Sequence, residues 1–314
     1  MKNRLDFVDI SKAIGLFLVV LSHSVYPNVM FFSLPIFIPV FFVLSGFTMS
    51  EYSIMKKAKR LLLPYLLFNL FFIVTMICTK LKDLTYLDYL GCLYSRYSVY
   101  PLSLSENIYL MNLGNSPLWF LTAMFSSFCL LIPYIKYSKF NFVWLLIYIS
   151  ITYIFSSLPI LLPWSLDTAF LLSIFIFVGM LVKRFSLLNL KFIYLIIIYA
   201  IVAYLCGYIN ISVRIYGSSL ILLLIGGTIG SLLVMKISMY IEKTKLKYPL
   251  TIIGQNSLTI FAIQMPLLYI GKKVSLIIGF VDNIFMTVII QLLFTFVLGL
   301  FVSIMLHKLF PKIF

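Results

Sequence analysis

The sequence predicts an all-α fold: a polytopic membrane helix bundle of about ten transmembrane helices, with both termini cytoplasmic. Three observations lead there. Only 11% of the 314 residues are charged, while 63% are hydrophobic and 17% aromatic. A soluble domain carries roughly 25% charged residues, so no water-soluble core of this size could hide the apolar surface. The apolar residues come in runs such as Ile193 to Ile209 and Phe285 to Leu306. These approach the ~20 residues a helix needs to cross ~30 Å of hydrocarbon, and they lack the strict alternation of a membrane β-barrel. The basic residues, finally, sit in the connectors between runs and mostly on one side of them.

Taken in order, the first run covers 12–30. Lys2, Arg4 and Lys12 precede it as they would in a secretory signal, but no small-residue cleavage site follows and further spans come at once, so it counts as a helix. The second, 34–50, carries Ser45-Gly46, small residues that let membrane helices approach closely. The third, 61–79, follows the cluster Lys56, Lys57, Lys59 and Arg60. A polar, Tyr-rich stretch from Lys80 to Asn115 then lies on the outer side, where it would cap an external cavity. Spans 115–135, 142–161, 165–182, 192–209, 215–235, 250–270 and 284–306 complete the set.

With the N-terminus inside, only Lys80, Lys82, Arg96, Arg214, Lys272 and Lys273 of the 24 Lys and Arg residues fall on outer segments. That is the asymmetry cytoplasmic loops impose, and a missed helix would reverse it for every later loop. The formal charge of +15 therefore orients the chain in a bilayer, and no nucleic-acid partner is expected. No internal repeat stands out, so residues 1–314 read as a single membrane domain. Cys78, Cys92, Cys129 and Cys206 are scattered singly, with no metal-ligand or redox spacing. They read as packing residues, with no metal site.

An ionisable group inside a membrane helix costs at least ~2.5 kcal/mol near the centre, which makes each one a candidate site. His23, in the first span, is the outstanding one. Lys12 precedes it by eleven residues, a net rotation of ~20° and a rise of ~16 Å on a helix, so both face the same way. Asp9 lies on a neighbouring part of that face. Two readings stand for the pair. In one, a cation at the inner rim holds the phosphates of a cytoplasmic donor while a neutral imidazole deeper in the helix takes the proton of a hydroxyl attacking an acyl carbonyl. In the other, His23 bonds a helix neighbour and Lys12 is an orientation anchor.

The stretch from Asp9-Ile10-Ser11-Lys12 to His23 resembles the opening of the bacterial membrane acyltransferases of family three, whose first helix carries Arg or Lys, ten residues, then His. Further blocks follow in the family's order, beginning with Pro39-Val40-Phe41-Phe42-Val43-Leu44-Ser45-Gly46-Phe47 and Lys59-Arg60-Leu61-Leu62-Leu63-Pro64-Tyr65. After them come Pro117-Leu118-Trp119-Phe120-Leu121, Leu162-Pro163-Trp164-Ser165-Leu166-Asp167, Gly179-Met180-Leu181-Val182-Lys183 and Ile253-Gly254-Gln255-Asn256-Ser257-Leu258-Thr259-Ile260-Phe261. The subgroup most similar is that of fucose 4-O-acetylases and polysaccharide O-acyltransferases.

The resemblance implies an integral enzyme of the cell membrane that moves an acyl group, usually acetyl, from acyl-CoA to a hydroxyl of a cell-surface or lipid-linked sugar. No tightly bound cofactor is implied; acyl-CoA is a co-substrate and a glycan the acceptor. Carried over, His23 is the proton-handling residue, Lys12, Lys59 and Arg60 hold the anionic donor, and Asp9 orients this region. This chain departs from many relatives at Phe37-Ile38, where they have a His before Pro39, and at Gln264, where they often have another. Gln can hold a hydroxyl but takes no proton near neutral pH.

Trp119 reads as a sugar-stacking ring or as part of an interfacial aromatic belt. Asp167 is a substrate-hydroxyl contact or a solvated charge. Asn69, Gln255, Asn256 and Gln291 line a path or bond across helices, and His307 reads as an interface anchor. A non-enzymatic transporter or polysaccharide export component is the rival reading, but it leaves the ordered blocks without an account.

Overall fold

The computed structural model describes residues 5–24, 35–79, 91, 98–101, 107–110, 116–137, 141–158, 161–280 and 283–311. In lipid a backbone must satisfy its polar groups within each segment, and helices do so. Helix accordingly dominates. The order is α1 (Asp6–Ser22), α2 (Pro39–Phe47), α3 (Ile54–Thr79), β1 (Ser98–Pro101), β2 (Asn107–Leu110), α4 (Trp119–Cys129), α5 (Ile132–Lys136) and α6 (Asn141–Ser156). There follow α7 (Leu166–Arg184), α8 (Phe192–Cys206), β3 (Ile209–Asn210), β4 (Ile215–Tyr216), α9 (Leu220–Ile241), α10 (Lys247–Gln255), α11 (Ser257–Ile278) and α12 (Ile284–Leu309). The strands are local hairpins, β1 with β2 and β3 with β4.

Among the described residues six helical stretches are long and apolar enough to cross a membrane: Ile54–Thr75, Trp119–Lys136, Pro163–Arg184, Leu220–Ile241, Ser257–Ile278 and Ile284–Leu309. Phe142–Ser156 and Phe192–Cys206 are shorter apolar helices. The protein is an all-α membrane helix bundle. Several expected boundaries shift, and two bear on the candidate site. The run expected at 12–30 is helical already from Asp6 and leaves the helix after Ser22; residues 25–34 lie outside the described residues, as do Cys92 and most of the stretch from Lys80 to Asn115. The run expected at 250–270 is divided at Asn256, between α10 and α11. There the Asn256 side-chain amide donates to the Ile252 carbonyl at 2.8 Å, alongside the backbone N–H bond to the same carbonyl at 3.2 Å, and its oxygen accepts from Ser303 at 2.7 Å.

The chain's contacts form two compact units. One comprises Met1–Met49, Phe177–Ile209 and Tyr216–Pro311; the other comprises Ser50–Ile176, Asn210–Ile215 and Lys312–Phe314. In the first, α1 packs against α2, α9, α10, α11 and α12. Glycines set the tightest approaches, because lipid supplies no hydrophobic drive and membrane helices associate through close packing and polar bonds. A Cβ on Gly179 would lie 2.0 Å from the Val43 carbonyl oxygen of α2, and one on Gly254 would lie 1.8 Å from that of Asp9 in α1.

The α11–α12 pair shows the same logic in reverse of a soluble helix. The buried residues of α12 are Thr287, Gln291, Thr295, Gly299 and Ser303, one every four positions, while its aliphatic majority faces outward. Thr287 bonds Ser275 at 2.6 Å, Gln291 donates to the Leu268 carbonyl at 3.0 Å, and Gly299 receives Ile260. Of the open residues from the sequence, Asn256 and Gln291 thus bond across helices. In the second unit α3 packs on α4, where the Tyr52 hydroxyl donates to the Phe128 carbonyl at 2.6 Å and the Lys57 ammonium sits 3.9 Å from the Phe128 ring centre.

Candidate active site

The N-terminal half of α1 is fixed from several sides. Its N-cap, Leu5, has no side chain able to cap, and the Phe7 N–H is taken instead by the Glu242 carboxylate at the end of α9, at 3.3 Å. An unpaired helix N-terminus favours such a negative partner. Asp6 pairs with Lys247 of α10 at 2.5 Å, and this hydrogen bond holds the Lys247 ammonium above its usual range. The Ser11 hydroxyl, wholly buried, donates to Ser238 of α9 at 2.9 Å.

Between these fixings lies the first pair of candidate residues. Lys12 reaches Asp9 at 2.9 Å, one turn back on the same helix; the carboxylate is 1% exposed and the ammonium side chain 26%. Gly254 explains the burial of Asp9, since its missing side chain lets α10 lie directly on the Asp9 backbone. Two blocks that the sequence noted separately, the opening of the first helix and Ile253-Gly254-Gln255-Asn256, are therefore one contact. The Lys12 side chain keeps a partly exposed edge beside this buried carboxylate.

His23 occupies the C-cap of α1, and its side chain is exposed. Among the described residues its ring has no hydrogen-bond partner. It stands ~16 Å further along the helix than Lys12. Gln264, in α11 of the same unit, is fully buried, and neither amide oxygen nor nitrogen has a partner among the described residues. An unsatisfied buried amide costs about 1–3 kcal/mol, which marks Gln264 as a group awaiting a polar partner. Counted from Asp9, His23 lies ~21 Å along α1.

The remaining candidates belong to the second unit. Lys59 and Arg60 are exposed near the start of α3. Trp119 opens α4, is 9% exposed, and meets Phe120 edge-on at 6.5 Å. Asp167 is fully buried in the first turn of α7. Its carboxylate lies 3.4 Å from the Arg214 Nε and accepts the N–H groups of Thr168 at 3.0 Å and Leu162 at 3.4 Å. The Arg214 guanidinium also donates to the Phe155 and Leu158 carbonyls at the end of α6. It is thereby a clamp between α6, α7 and its own connector. Trp164 and Ser165, just before α7, hold left-handed backbone angles (φ 52° and 54°) that cost a non-glycine residue about 1–2 kcal/mol.

The sequence reading missed the Asp167–Arg214 pair. The available signal was an Arg in a segment read as outer, where basic residues are scarce. Removing either partner leaves a buried charge alone, so Arg214→Ala and Asp167→Ala are each expected to cost about 3–5 kcal/mol. Thermal unfolding of the detergent-solubilised protein checks this, with the joint replacement Asp167→Leu/Arg214→Met expected to lose less than either single change.

Several helices long and apolar enough to cross a bilayer make this a multi-pass membrane protein. The family model of the acyltransferase domain, acyltransferase family three, matches residues 5–308, and the chain belongs to that family. The comparisons with curated proteins and with solved structures gave no match.

Proposed function

We propose that this acyltransferase moves an acyl group, in the first instance acetyl, from cytoplasmic acyl-CoA to a hydroxyl of a cell-surface or lipid-linked sugar. The single observation that carries the reading is helix α1 within a family-three acyltransferase: an exposed imidazole at its C-cap and, eleven residues earlier, a partly exposed lysine paired with a buried carboxylate. About ten spans with both termini in the cytoplasm would put the Lys12 end on the donor's side of the cell membrane.

Neutral His23 accepts the proton of the sugar hydroxyl as that oxygen attacks the thioester carbonyl. The new C–O bond forms, the carbonyl becomes an oxyanion, and collapse breaks the C–S bond. The imidazolium returns its proton to the leaving thiolate, giving the sugar ester and free CoA. Lys12, Lys59 and Arg60 hold the donor's phosphates as cations suited to that task, with Asp9 fixing the direction of Lys12. On the acceptor side, the Gln264 amide takes a sugar hydroxyl, which satisfies its buried polar atoms. Trp119 and Asp167 shape the acceptor end, Asp167 through the connector it holds rather than by solvated contact.

Purified protein in lipid should consume acetyl-CoA, and surface glycans from cells bearing it should gain the mass of one acetyl unit. Unchanged glycan mass together with no turnover of any acyl-CoA would overturn the reading. Joint replacement Lys59→Gln/Arg60→Gln should raise the KM for acyl-CoA by about tenfold with little change in kcat, as removal of uniform binding does.

A further inference from the structure

We propose that the protein carries a phospholipid-binding site on the opposite side of α1 from the candidate active site, filled by one acyl chain of an anionic lipid. An apolar recess of about 270 Å³ lies between α1, α10 and α12, lined by Ala13, Ile14, Phe17, Leu250, Ile253 and Phe296. On the helical wheel its α1 residues centre ~130° away from Lys12 and His23. The occupant is therefore neither donor nor acceptor, and the inference stands apart from the proposed reaction.

Within the recess Phe17 stacks on Phe296 with ring centres 6.2 Å apart. Beyond its lining, one turn before Leu250 on α10 and on the same face of α1, is the Lys247–Asp6 pair. From Asp6 to Phe17 is eleven residues, ~16 Å of helix, which is the hydrocarbon depth of one leaflet, ~15 Å. The length suits a single lipid chain with its headgroup at the Lys247 end.

Charge at that end selects the headgroup. Each acidic group there already has a partner: Asp6 has Lys247, Asp9 has Lys12, and Glu242 has the Phe7 N–H. Lys243 and Lys245, in the connector leading to α10, are exposed and pair with no carboxylate among the described residues. A lysine near a bilayer surface contributes about 1 kcal/mol of attraction to anionic lipid, so a phosphatidylglycerol-type headgroup is favoured over a zwitterionic one. The wedge would hold α10, and with it Gly254, against Asp9.

The test uses the full chain in nanodiscs of phosphatidylcholine with and without phosphatidylglycerol, followed by detergent extraction and native mass spectrometry. One phosphatidylglycerol per chain should be retained, with about tenfold preference over phosphatidylcholine, and the thermal midpoint should rise with it. Ile14→Phe, which narrows the recess at a partly exposed position, should abolish retention; Lys243→Gln/Lys245→Gln should keep a retained lipid but erase the headgroup preference. Retention unaffected by Ile14→Phe, equal retention of both lipids by the unaltered chain, or no retained lipid would each overturn the proposal.

Discussion

His23→Ala is expected to abolish acyl transfer, lowering turnover at least about 10²-fold, while the protein remains folded in the membrane at its normal level. General acid–base catalysis contributes typically 10²–10⁴-fold, and His23 is exposed at the C-cap of α1 and not part of the buried core. The contrast between activity and stability is what makes the result informative. Membrane fractions assayed for acetyl-CoA consumption, alongside thermal unfolding of the purified variant, separate the two. Near-normal turnover in the variant would remove the imidazole from the reaction. The KM for acyl-CoA should stay nearly constant, because the cations proposed to hold the donor, Lys12, Lys59 and Arg60, lie elsewhere.

The second large effect is expected at Gly254. In Gly254→Val even the first added carbon would lie 1.8 Å from the Asp9 carbonyl oxygen, and the obstacle is backbone, which cannot rotate aside. Overpacking costs about 1–3 kcal/mol in cores that can adjust, and this site should reach the top of that range. Either α10 lifts from α1 or the ladder around Asp9 distorts. Both shift the carboxylate that orients Lys12, so a lower unfolding temperature should come with a raised KM for acyl-CoA. Ile252→Val, on the exposed side of the same short helix, serves as the control and should change stability by no more than about 0.5 kcal/mol.

What the sequence made legible follows from the range of the interactions. Membrane residence is a sum over local composition, so the apolar runs announced the bundle without any tertiary knowledge. The Asp9–Lys12 pair was legible as a shared helix face because helix geometry places residues three apart side by side. The Asp167–Arg214 clamp was not, since it joins positions 47 residues apart through a connector whose path depends on two left-handed turns and a short strand pair. Nor do the 14 glycines declare which of them sit against a neighbouring backbone; Gly179 and Gly254 acquire that meaning only from the helix facing them. The four-residue rhythm of Thr, Gln, Thr, Gly and Ser in α12 was present in the sequence, but those small groups weigh little against so many aliphatic residues. Gln291 alone drew notice.

That rhythm has a consequence for how the molecule is made. A segment as oily as α12 would settle in a bilayer unaided, its hydroxyls turned back onto its own carbonyls, as Thr295 does with Gln291. Nothing in the surrounding hydrocarbon would then press it toward α11; recognition falls to a few hydroxyls, one amide and the hollow at Gly299. Deleting everything after residue 283 would leave Asn256 without Ser303 and Ser275 without Thr287. The last hairpin is thus a late closure, and the chain cannot be trimmed there without stranding the polar groups it covers.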